Sequence, residues 1–189
     1  MKPQQRAGRF GMFKVSRAIA AVAFTVIALG GCMSEAGEKG QNDPLPRMSK
    51  EHAQDWARDF TKRLAKVIGK PVNSRQPDVS FLGCTGKNGE EATDDRYVMM
   101  YNAWVTVPPE QHNEAAKKLR ETLVDQGYTV TAERPYKAGE QGMILEARPA
   151  EEGFFIGIES AKTNGGYQEI ALGINSPCMI PPGATQSPQ

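Results

Sequence analysis

The chain has 189 residues, of which 39% are hydrophobic, with 23 Lys+Arg against 22 Asp+Glu. That length fits one domain and one core. The near-neutral total hides a gradient: Lys2, Arg6, Arg9, Lys14 and Arg17 are the only charges in the first 31 residues, so from Cys32 onward 18 basic residues face 22 acidic ones. The larger part is mildly acidic and lacks the basic stripe that nucleic-acid binding requires.

The N-terminus reads as an export signal. Behind the basic flank, residues 18–29 are apolar or small apart from Thr25, a run shorter than the roughly 20 residues that span a bilayer. A basic flank, a short apolar core and then small residues describe a secretory signal. Leu29-Gly30-Gly31-Cys32 resembles the bacterial lipobox. That pattern implies cleavage before Cys32 and a diacylglycerol thioether on its sulfur. Two fatty acyl chains, of the palmitate type, hold a protein on a membrane where one is marginal. A plain secretory signal and an uncleaved anchor are the competing readings. Met12 to Gly31 is a complete signal by itself, so Met1 or Met12 fits as the start. The expected layout is a lipoprotein signal peptide over 1–31, a lipidated flexible tether over 32–48, a single α+β domain over 49–180 and a disordered tail over 181–189. Export leaves Cys84 and Cys178 as an even pair in an oxidising compartment, which favours a disulfide.

Ser49 is placed to cap a helix running to about Ile68, with Trp56, Phe60, Leu64 and Val67 on its apolar stripe and Gly69 and Pro71 as its stop. A short strand follows over 79–84, then the turn "TGKNGE" centred on Asn88-Gly89, then a long strand over 96–107. Pro108 and Pro109 open a second helix over 110–126, closed by Gly127. Four further alternating segments, 128–133, 143–147, 154–160 and 167–175, read as antiparallel strands. In the first of these, Tyr128, Val130 and Ala132 share a face. The order αββαββββ predicts an antiparallel sheet with both helices on one face.

Catalytic motifs are not found. His52 and His112 both fall at helix starts, and HExxH, GxSxG and Walker patterns are missing from the sequence. The acidic run Glu90, Glu91, Asp94 and Asp95 does not have the alternating spacing of an organised calcium loop. No catalytic residue, cofactor or metal site is assigned. One feature resists a purely structural reading. The 96–107 strand is apolar on both faces, whereas a sheet with one face in water should alternate. Met100, Trp104, Ile144 and Phe155 then form a candidate apolar binding surface on the face away from the helices.

Taken together, the lipobox, "SKEHAQDWARDFTKRLAKVIG", "CTGKNGE", "VPPEQHNEAAKKLRETLVDQGYTV" and "NSPCMIPPG" resemble a family of small secreted actinobacterial lipoproteins of the Streptomyces type. The resemblance implies a location and a two-cysteine α+β domain, and no mechanism. The resulting expectation is a non-catalytic binding or accessory module on the extracellular face of the cytoplasmic membrane. Its partners would be the membrane, through the lipid, and an envelope protein or small ligand. The alternative is a small carboxylate-dependent hydrolase acting on envelope or extracellular polymers.

Overall fold

The computed structural model describes residues 43–85, 89–135, 142–151, 153–163 and 166–188. The expected signal peptide, Cys32, residues 33–42 of the expected tether and Asn88 of the expected turn lie outside these residues. The elements run α1 (Lys50–Ile68), β1 (Asp78–Gly83), β2 (Tyr97–Thr106), a 3-10 turn (Pro109–Gln111), α2 (His112–Asp125), β3 (Tyr128–Pro135), β4 (Met143–Pro149), β5 (Phe155–Thr163) and β6 (Gly166–Asn175). The strands form one antiparallel sheet in the order β1-β2-β6-β5-β4-β3. The protein is α+β.

Local signals account for the helices. Ser49 accepts the N–H of His52 at 3.2 Å, and Gly69, at φ 81°, closes α1 in the left-handed conformation that glycine adopts without a Cβ clash. Ala53, Ala57, Phe60, Thr61, Leu64 and Ala65 form its buried stripe. Half-buried Trp56 stacks on Phe60 at 4.8 Å and on Phe154 at 4.1 Å between ring centroids. The second helix begins two residues later than Glu110, because Gln111 N–H bonds to the Pro108 carbonyl and tightens the first turn to 3-10 geometry. It then buries His112, Ala115, Ala116, Leu119 and Leu123.

Both helices lie against one face of the sheet. Alternate residues of β2 (Tyr97, Met99, Tyr101, Ala103, Val105), together with Leu145, Ile156, Ile158, Ile170, Leu172 and Ile174, are buried there. Each fully buried aliphatic side chain of this size contributes about 1.5–3 kcal/mol.

In β3 the expected face assignment is corrected. Val130 pairs with core-facing Ala147, but the register shifts before Ala132, which pairs with Glu146 on the opposite face. One extra residue in a bulge reverses the parity of everything after it. Glu133 therefore turns toward α2 and meets Arg120 at 2.9 Å.

The C-terminal segment also differs from expectation. Residues 181–188 are not a free tail, and residues 43–48 belong to the fold. Ile180 N–H donates to the Pro46 carbonyl at 3.0 Å, and Met48 N–H to the Ile180 carbonyl at 3.1 Å. Arg47 Nη1 donates to the Ala184 carbonyl at 2.9 Å, and Gln186 bonds both Leu45 N and the Asp43 carbonyl. Composition and periodicity cannot reveal such ties, because they join groups far apart in the chain.

Cys84 and Cys178 form a disulfide with Cα atoms 5.9 Å apart, closing a separation of 94 residues. In the chain-entropy model such a loop is worth about 4–5 kcal/mol. The bridge, the segment 43–48 and the C-terminal segment all gather at one end of the sheet, where β2 starts and β6 finishes; we call it the disulfide pole.

Candidate functional site

The face away from the helices holds all four residues of the sequence-derived surface, but register separates them. Met100 stands opposite Asn175, which stands opposite Phe155. Trp104 leads across Ala171 and Glu159 to Ile144. Between these two rows runs a third, Asn102, Gly173, Gly157 and Glu146. With strands about 4.8 Å apart, Met100 and Phe155 are about 10 Å apart, and Trp104 and Ile144 about 14 Å. The glycine pair at the centre leaves a shallow floor between the rows.

Trp104 and Phe155 are each covered by an arginine on this face. The Arg75 guanidinium lies 3.6 Å from the centroid of the half-buried Trp104 ring, and that of Arg148 lies 5.0 Å from Phe155. Such contacts are worth about 0.5–1 kcal/mol at exposed sites. Arg75 is itself fixed by Glu169 at 3.3 Å. Asn73 donates to Glu169 at 2.6 Å and, through its backbone N–H, to the Trp104 carbonyl at 2.7 Å. Trp104 is thereby tied to its own chain. The accessible apolar part of the face lies toward the disulfide pole. Leu82 is 53% exposed and Met100 40%, with half-buried Val98 directly opposite Leu82. Leu82 was missing from the sequence-derived set. The alternation of Val79 and Phe81 with Ser80 and Leu82 is the signal from which its place on this face could have been read.

Sequence reasoning also missed a buried polar tie. His112 Nδ1 lies 2.8 Å from Ser160 Oγ, and its Nε2 lies 2.8 Å from the Val107 carbonyl. A carbonyl only accepts, so Nε2 carries a proton, and in the neutral ring Nδ1 accepts the Ser160 hydroxyl. Ser160 Oγ in turn accepts the Met143 N–H at 2.9 Å. These groups have the nucleophile–base order of a hydrolytic site. Both side chains are, however, only 1% exposed, and both ring nitrogens and the hydroxyl are bonded to internal partners. The arrangement pins the first turn of α2 to β4 and β5. His52, by contrast, is exposed on α1.

The acidic run after β1 resolves into a structural ion pair. Asp94 and Arg96 form two side-chain bonds of 2.6 Å, with the arginine and carboxylate side chains 4% and 6% exposed. The Arg96 guanidinium holds the Asp94 carboxyl well below the usual carboxylate range, assisted by the N–H groups of Ser187 and Arg96 against the opposing effect of burial. Among the described residues, no group of three His, Cys, Asp or Glu side chains could hold a metal ion, and no helix is long and apolar enough to cross a membrane. A cavity of about 610 Å³ lies at the far pole, lined by Glu110, Asn113, Glu133, Arg134 and Met143 among others. Compared with protein-family models, curated proteins and solved structures, the chain matches none.

Proposed function

We propose that the protein is a lipid-anchored, non-catalytic binding or accessory module on the extracellular face of the cytoplasmic membrane, and that it engages an envelope partner through the uncovered sheet face. The supporting observation is the cluster of exposed Leu82 and Met100 with half-buried Val98 on a face where water-facing strand positions should be polar. The anchor rests on the Leu29-Gly30-Gly31-Cys32 pattern behind a basic, then apolar, N-terminus.

Two experiments on the full chain test this reading. Cys32→Ala moves the protein from the membrane fraction to the medium; a variant that stays membrane-bound overturns the anchor. A photo-crosslinking residue at Met100, compared with one at exposed Lys117 on α2, captures a defined envelope component from the first position only. Equal yields from both positions overturn the binding face.

A further inference from the structure

The two edges of the sheet are unequally protected. An edge strand presents a row of unpaired backbone N–H and C=O groups, and folded proteins guard such rows with bulges, charges and proline. The β3 edge has all three: the register shift before Ala132, then Glu133, Arg134 and Pro135. The β1 edge has neither bulge nor proline within the strand, and its one charge, Asp78, stands at the first residue, away from Leu82. Its sequence, Asp-Val-Ser-Phe-Leu-Gly, pairs with β2 in unbroken register and, among the described residues, has no strand on its outer side.

This edge is also held rigid. Phe81 packs edge-on against buried Tyr97 at 5.6 Å between centroids, and Lys50 Nζ lies 5.6 Å from both ring centroids. Gly83 leads directly into disulfide-bonded Cys84. A template fixed before binding costs little ordering entropy when a partner adds to it. On the open face the same strand carries Leu82, the most exposed large hydrophobic side chain among the described residues, opposite Val98 and near Met100 on β2.

We infer that β1 is a docking strand, to which an extended segment of a separate envelope polypeptide adds as a seventh strand. The backbone of that segment satisfies the β1 edge. An apolar side chain of the segment lies against Leu82, and an acidic one lies on the helix side within reach of Lys50. This inference rests on the binding-module reading and names its partner class. A second copy of the chain fits less well. Antiparallel β1–β1 pairing would place the two disulfide poles, where each chain enters its fold, at opposite ends of a sheet about 30 Å tall. Both chains would be anchored to the same membrane.

The test uses the full anchored chain with a photo-crosslinking residue at Leu82 or, as the guarded-edge control, at Arg134. The segment captured from Leu82 is mapped by mass spectrometry and synthesised, and its binding to the purified chain is followed by amide hydrogen exchange. The expected result is capture at Leu82 and not at Arg134, exchange protection concentrated in residues 79–83, and at least tenfold weaker binding by Leu82→Lys, which retains the wild-type melting temperature because the side chain is exposed. Three results overturn the inference: equal capture at both edges, a captured segment that is the chain itself, or binding that leaves the β1 amides unprotected. In the last case, capture at Met100 would still support the binding face, so the two readings fail separately.

Discussion

Asp94 accepts the backbone N–H of Ser187 at 2.8 Å across 93 residues of chain, while Arg96, bonded to the same carboxylate, donates to the Ser187 carbonyl at 2.6 Å. One ion pair thus clamps the C-terminal segment through both backbone polar groups of a single residue, Ser187. The disulfide holds Cys178 a few residues upstream, so the segment from 178 to 187 is fastened at both ends.

Removing the carboxylate strands a buried guanidinium, which costs about 3 kcal/mol. Asp94→Asn is therefore expected to lose about that much at pH 7 in urea unfolding. The pH dependence has a definite sign. A carboxyl whose folded value is depressed contributes stability above its unfolded value of about 3.9, and that contribution is lost as pH falls through the folded value. The gap between wild type and Asp94→Asn should hold from pH 7 to about pH 5 and narrow steadily below about pH 4. A gap that does not change down to pH 2.5 would show that the charge of Asp94 is not its source.

This clamp marks the boundary between what the sequence discloses and what it does not. Helix ends are written locally: Ser49, Gly69 and Pro108-Pro109 each act within a few residues. Strands are written in period-2 alternation, and the one displaced assignment, Ala132, follows a bulge that a pattern of alternate residues cannot register. The pairing of Cys84 with Cys178 followed from counting thiols. By contrast, Asp94 with Ser187, His112 with Ser160 and Arg75 with Trp104 are contacts between side chains and distant partners. Each residue taken alone reads as an ordinary surface polar group. The candidate face was partly legible because Met100 and Trp104 break alternation within one strand. Leu82 was harder to place, because its strand is short and exposed on its outer side.

The His112–Ser160 tie predicts stability without reactivity. Ser160→Ala removes the donor to Nδ1 and the acceptor for the Met143 N–H, leaving two buried groups without partners. Orphaned buried groups cost about 1–3 kcal/mol each, so a loss of about 2–4 kcal/mol is expected in thermal or urea unfolding. With the hydroxyl only 1% exposed, a fluorophosphonate probe should leave the native protein unlabelled. Stoichiometric labelling at Ser160 would show that the pair opens to solvent and that its role is not purely structural.

Gly157 and Gly173 face each other across β5 and β6, yet substitution should act in opposite directions. A Cβ on Gly173 would come within 3.0 Å of the Gly157 carbonyl oxygen and of Asn102 Oδ1. The side chain of Asn102 can turn away, but the carbonyl belongs to a paired strand and cannot move without shifting β5. Gly173→Ala should therefore destabilise by about 1–3 kcal/mol, the usual range for overpacking. A Cβ on Gly157 would meet only Phe155 Cε1, at an ordinary 3.7 Å. There the gain from restricting the unfolded chain, about 0.4–1 kcal/mol, should prevail. Melting curves of the two single variants decide the matter: a shift in the same direction for both would mean that the close approach at Gly173 does not govern how these two strands pack.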